Sequence, residues 1–115
     1  MSWGAEELNE LTTSHSLFLT AGACTTESVE LGMVVVDGEL YVRSFRGPSS
    51  GWYRRAIELG IGQIACGMWT RSVTFSAPSS QTSGIEAEYR SKYGEAAGLI
   101  ATPHAQAATV QIAPR

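Results

Sequence analysis

Residues 40–59 read LYVRSFRGPSSGWYRRAIEL, and the hydrophobic period changes inside them. Up to Arg46 the pattern has period two, so Tyr41, Arg43 and Phe45 share one face of a strand and Leu40, Val42 and Ser44 the other. After the Gly47-Pro48 turn, Ser49 or Ser50 can cap a helix that stops at Gly60, and Trp52, Ala56 and Leu59 recur at helical spacing as its core face. Arg54 and Arg55 fall in the first turn of that helix, where the partial positive charge of the backbone amides disfavours cations and attracts anions. An acidic side chain would offset this mismatch, and so would an anionic ligand.

Working outward, Asp37-Gly38 joins a strand over residues 28–36 to the strand that begins at Glu39, and a D-G pair between β-branched runs is a strong hairpin signal. A second hairpin runs through residues 61–66, a Gly67-Met68 turn and residues 69–75, with Trp69, Arg71, Val73 and Phe75 on one face. Residues 16–20 read as a further strand, residues 22–28 as a polar loop, and residues 108–113 as a closing strand. Helices are predicted at the amino-terminal end, capped by Ser2 with Leu8 and Leu11 on its apolar side, and over residues 84–93, with Ile85, Tyr89 and Lys92 aligned and Gly94 as its stop. About six mainly antiparallel strands with two or three peripheral helices make an α+β chain. Strands so few and short close most easily into a small barrel, which removes exposed edges.

With 115 residues, 43% of them hydrophobic and 17% charged, the sequence predicts one domain, residues 1–115, around a single core. No apolar run reaches the roughly 20 residues of a membrane span, and the acidic start carries no basic residue of a leader, so a cytoplasmic protein is expected. Cys24 and Cys66 have no metal-like spacing, and His15 and His104 have no evident partner, so no metal site is expected. The net charge of −3 conceals an asymmetry. Residues 1–42 hold seven acids and no base, whereas residues 43–71 hold Arg43, Arg46, Arg54, Arg55 and Arg71 against Glu58 alone. Arginines without lysine, interleaved with aromatics, suit a bidentate anion site better than a nucleic-acid surface. Pairing of the basic part with the acidic part accounts for them equally well. For Arg71, snorkelling from an apolar face is the simpler account.

The runs LYVRSFRGPSSGWYRRAIELGIGQI and VTF, followed by YRSKYG at residues 89–94, resemble the small bacterial family called domain of unknown function 2255, across nearly the whole chain. That family is similar in turn to split β-barrel binders of flavins and deazaflavins, which are typically homodimers holding the cofactor at the subunit interface. The resemblance implies a small split barrel. It also implies that Arg43, Ser44, Trp52, Arg54 and Arg55 face an FMN or deazaflavin cofactor in an oxidoreductase. The sequence departs from this pattern at residues 20–27, where the expected basic hairpin turn has no basic residue, and at Gly32, where a tryptophan is expected. The small residue at 32 is expected to open space inside the barrel.

Three functions follow. One is a flavin- or deazaflavin-dependent oxidoreductase, in which the cofactor does the chemistry. A second is a cofactor-free enzyme of cyclase or isomerase type, or a binding protein, for an anionic natural-product intermediate; Arg43, Arg54 or Arg55 would clamp the anion and Tyr41 or Tyr53 would move or orient a proton. The third is an interaction domain whose arginines serve a dimer interface.

Overall fold

A computed structural model describes residues 3–22, 28–44, 47–67, 69–78, 84–100 and 103–115. Seven strands, β1 (Leu17–Ala21), β2 (Val29–Leu31), β3 (Val34–Val36), β4 (Glu39–Arg43), β5 (Ile61–Cys66), β6 (Trp69–Ser76) and β7 (Thr109–Pro114), form one sheet in the order β2-β1-β5-β6-β7-β4-β3. Every pairing is antiparallel. The helices are α1 (Ala5–Thr13), α2 (Gly51–Leu59), α3 (Gly84–Tyr93) and the one-turn α4 (Pro103–Gln106), with 3-10 turns at Gly47–Ser49 and Gly94–Ile100. The chain is therefore α+β, a curled split barrel with peripheral helices. The two strands at the ends of the sheet, β2 and β3, are consecutive in the chain and separated only by Gly32 and Met33. What the sequence presents as one strand over residues 28–36 is thus shared between both ends of the sheet, and the sheet curls to let one chain segment serve both.

The inward faces follow the predicted alternation. Leu17 and Leu19 of β1, Leu40 and Val42 of β4, Ile64 of β5, Val73 of β6 and Val110 and Ile112 of β7 are buried together, each contributing about 2 kcal/mol of hydrophobic stabilisation. The hairpin at Asp37-Gly38 is present, with φ of 52° and 78° at the two residues, the left-handed pair that a tight hairpin turn requires. Helix α1 begins after Gly4, whose amide donates to Glu7 Oε1 at 2.9 Å; Ser2, the expected cap, lies outside the described residues. Trp3, just before α1, and Leu8 and Leu11 of α1 pack onto the core, and Trp3 Nε1 donates to the Ile112 carbonyl at 3.0 Å. Cys66 Sγ lies 4.0 Å from the Glu10 carbonyl, which puts α1 at the far end of β5 from α2.

Helix α2 differs from its expected core face in one residue. Ala56 is buried and Trp52 packs on the core, but Leu59 is 49% exposed, and Tyr53 joins Trp52 instead. Leu59 is in the last turn, before the left-handed Gly60 turns the chain into β5, and it lies beside Gly22. Met68 of the second hairpin turn and residues 23–27 of the loop before β2 are outside the described residues.

Helix α3 and the 3-10 turn that follows cover the outer face of β3 and β4, where Val34, Tyr41, Ile85, Tyr89, Ala97 and Ala105 form a second buried cluster. Strand β4 is accordingly buried on both faces. The same helix holds the seam between β2 and β3. Continuing the β1–β2 register by two residues would pair His15 with Met33, and continuing the β3–β4 register would pair Gly32 with Arg43. Neither rung forms. Instead the Tyr93 hydroxyl accepts from the Met33 amide at 2.8 Å and donates to the His15 carbonyl at 2.7 Å. The Tyr89 hydroxyl donates to the Gly32 carbonyl at 3.3 Å, with the Arg43 amide on its other side. Lys92 Nζ donates to the carbonyls of Met33 at 2.9 Å and Leu11 at 3.0 Å. Burial raises the pKa of both tyrosines above 10.0 and lowers that of Lys92. The space expected from Gly32 is filled, because a Cβ there would lie 3.1 Å from the ring carbon and hydroxyl of Tyr93.

The tightest crossing in the barrel wall is at Gly62 of β5, where a Cβ would lie 2.1 Å from the Thr20 carbonyl oxygen and 2.7 Å from the Phe75 ring. Gly62→Ala is expected to destabilise the chain by about 3 kcal/mol, because backbone rather than a side-chain tip must give way. Gly98→Ala, with nothing within 4 Å of its Cβ, is the control and is expected to be neutral in urea denaturation.

Candidate functional site

The residues expected to face a ligand separate into two groups. Arg43, at the end of β4, points under α3, and its side chain is 4% exposed. Its Nε donates to Thr109 Oγ1 at 2.9 Å and its Nη1 lies 3.4 Å from Glu86 Oε1. A guanidinium taken out of water needs such partners, since desolvation costs several kcal/mol per ion. Tyr41 shares this face, 7% exposed, among the residues of the second cluster. Ser44 is 2% exposed; its amide donates to the Ala108 carbonyl at 3.2 Å and its carbonyl accepts from Gly47 at 3.0 Å. Phe45 and Arg46, which continue the run, lie outside the described residues.

The second group is on α2. Trp52 and Tyr53 are half-buried with ring centroids 6.2 Å apart at 84°, and Arg54 and Arg55 are exposed. Ser50 caps this helix by position, with extended φ and ψ, but its hydroxyl makes no capping hydrogen bond. The Ser50 carbonyl accepts from the Arg54 amide at 3.1 Å, and no acidic residue stands in the first turn. The amino-terminal end of α2 therefore combines first-turn amides and the positive end of the helix dipole with two exposed arginines, and none of its own first-turn residues is acidic.

The turn between α4 and β7 joins the two groups. Thr109, which takes the Arg43 hydrogen bond, donates from Oγ1 to the Gln106 carbonyl at 2.8 Å. The next two carbonyls serve the rest of the site, Ala107 accepting from the Tyr53 hydroxyl at 3.4 Å and Ala108 from the Ser44 amide. Sequence reasoning missed this turn, because residues 103–108 are half alanine with little periodic signal. The signal for Glu86 was present in outline: an arginine on an apolar strand face calls for a carboxylate, and a nearby helix supplied one.

The remaining candidates lie elsewhere. Arg71 faces inward near the start of β6 and is ion-paired with Glu7 of α1, which ties the barrel mouth to the helix that closes it. The exposed His15 ring meets the edge of Tyr93 with centroids 5.1 Å apart. His104 falls within α4. Among the described residues, no three His, Cys, Asp or Glu side chains form a metal-sized group.

Arg43 and the α2 arginines should respond differently to replacement. Arg43→Met is expected to cost about 2 kcal/mol, below the full penalty for breaking a buried pair because Glu86 is partly solvated. Arg54→Ala and Arg55→Ala are expected to leave the urea midpoint unchanged, as exposed charges usually do. Equal losses in all three variants would show that the α2 arginines are structural too.

A family model described as "Uncharacterized protein conserved in bacteria (DUF2255)" matches residues 7–112, nearly the whole chain. No curated protein matches the sequence. The match runs from within α1 to within β7, including the seam, Arg43 with its partners and the α2 arginines, and on this extent the chain belongs to the DUF2255 family.

Proposed function

We propose that this chain binds an anionic small molecule at the amino-terminal end of α2. The observation that carries the reading is the amino-terminal part of that helix: its first turn is free of acidic residues and lacks a side-chain cap, and the exposed Arg54 and Arg55 follow directly, Arg54 closing the first turn and Arg55 opening the second. Flavin mononucleotide or a deazaflavin is the first ligand to consider, by resemblance to the split-barrel binders. The described residues fit the phosphate end of such a cofactor, with Arg54, Arg55 and the first-turn amides to hold it and Trp52 beside them. A bound flavin would supply hydride transfer, making the protein an oxidoreductase. Tyr53, with its hydroxyl on the Ala107 carbonyl, would orient the ligand.

A cofactor-free reading has its own support. Arg43 is committed to Glu86 and Thr109, and residues 20–27 contain no basic side chain, so fewer cations are available to a phosphate than the family pattern implies. A smaller organic anion, such as a carboxylate intermediate of natural-product biosynthesis, needs only the α2 end. The buried free thiol of Cys66 suits a reducing cytoplasm.

Titration with flavin mononucleotide, riboflavin and inorganic phosphate separates these readings. The expected result is flavin mononucleotide binding in the micromolar range or weaker, about −8 kcal/mol, with Arg54→Ala weakening it roughly tenfold and leaving riboflavin unaffected. Phosphate binding sensitive to Arg54, without any flavin binding, would favour the cofactor-free reading. If neither anion senses Arg54 or Arg55, the α2 site is abandoned.

Homodimerisation completes this reading. The outer face of β1, β5 and β6 presents Phe18, Ala65 and Thr70 in one cross-strand row and Thr20, Gln63 and Ser72 in the next. Across these three strands the two rows contain no charged residue, Glu30 of β2 lying beyond Phe18, and Phe18 is 48% exposed. Phe18→Lys is expected to shift the mass in light scattering from two chains to one. An unchanged mass in this variant would move the dimer interface elsewhere.

A further inference from the structure

We propose that residues 89–93 of α3 form a releasable strap, whose lifting opens the barrel wall at Gly32 and Met33 while the sheet from β1 through β5, β6 and β7 to β4 stays paired. In an ordinary ladder each rung joins two strands directly, so it breaks only when the strands part. Here the rungs that would follow Leu17↔Leu31 and Val34↔Tyr41 are supplied by hydroxyl groups of a third element. Tyr93 stands between His15 and Met33, and Tyr89 between Gly32 and Arg43. Lys92 adds the Met33 and Leu11 carbonyls. Residues 89, 92 and 93 lie on one helical face, so the three side chains leave together.

Little else holds the seam. Gly32 has no side chain to pack, and its space is occupied by the Tyr93 ring. Of the two seam residues only Met33 has a side chain to anchor it inward, fully buried in the core, with Leu31 and Val35 packed on the same core to either side. Of residues 89–93, only Tyr89 is fully packed, while Arg90 and Ser91 are exposed. The seam also has a second arrangement available. With the Tyr89 hydroxyl withdrawn, the β3–β4 register continues to Gly32 and Arg43, whose backbone groups can pair directly. Two discrete pairings of the same segment make a switch rather than gradual fraying. The opened state gives the barrel interior a route to solvent at Met33.

Native-state hydrogen exchange of the full chain in increasing urea tests this. Peptides covering residues 31–34 and 89–93 are expected to exchange together, faster than β5 and β6 and with a shallower urea dependence. Tyr93→Phe is expected to accelerate both peptides roughly tenfold and leave β5 and β6 unchanged. The strap is overturned if those peptides exchange in the unmodified protein only with the full urea slope of β5 and β6. Uniform acceleration of every peptide by Tyr93→Phe overturns it as well. Should that variant not fold, the urea dependence of the unmodified chain decides alone.

Discussion

The barrel depends on how one short segment is satisfied at its bend. Residues 29–36 pair with β1 at one end and with β4 at the other, and between these ladders the backbone of Gly32 and Met33 has no strand partner. Unpaired amides and carbonyls at the edge of a core cost about as much as the hydrogen bonds they lack. Tyr89, Lys92 and Tyr93 meet that cost from a single helix, and the pairing fixes where α3 must lie. Once α3 is there, the outer face of β3 and β4 is covered, the second hydrophobic cluster forms, and Glu86 is carried to Arg43.

Charge distribution follows from the same geometry. The acidic beginning and basic middle of the chain do meet, but in particular places. Glu7 serves both the Gly4 amide and Arg71, so the helix start and the barrel mouth share one carboxylate. Arg43 pairs with Glu86, from beyond the basic stretch. The arginines next to each other in the linear sequence thus have separate tasks, one inside the fold and two on the surface of α2. The anion-binding reading rests on the latter pair together with a helix whose own first turn carries no acidic residue. The turn over residues 106–109 keeps the inner and outer groups in register, because consecutive carbonyls accept from Tyr53 and Ser44 and Thr109 accepts from Arg43.

Much of this was legible in the residues. Period-two alternation identified the strands, and the D-G pair located the hairpin, since few residues other than glycine and asparagine or aspartate tolerate left-handed backbone there. Gly60 and Gly94 marked helix ends for the same reason, both having positive φ. The site was legible only in part. Alternation put Tyr41 and Arg43 on a common face, but whether that face met solvent, a ligand or another layer of protein is not a local property. It meets α3.

The sequence by itself determined the element types, the hairpins, the α+β class and the concentration of arginine around α2, because these rest on local backbone preference and on side-chain period. Only the tertiary structure decided that the strand over residues 28–36 is divided between two ladders, that Gly32 makes room for Tyr93, and that Arg43 is an internal ion-pair partner. Each of these joins residues far apart in the chain, 60 positions in the case of Met33 and Tyr93. Such contacts are selected by the space and unpaired backbone groups left after the sheet has curled, and no local pattern encodes either.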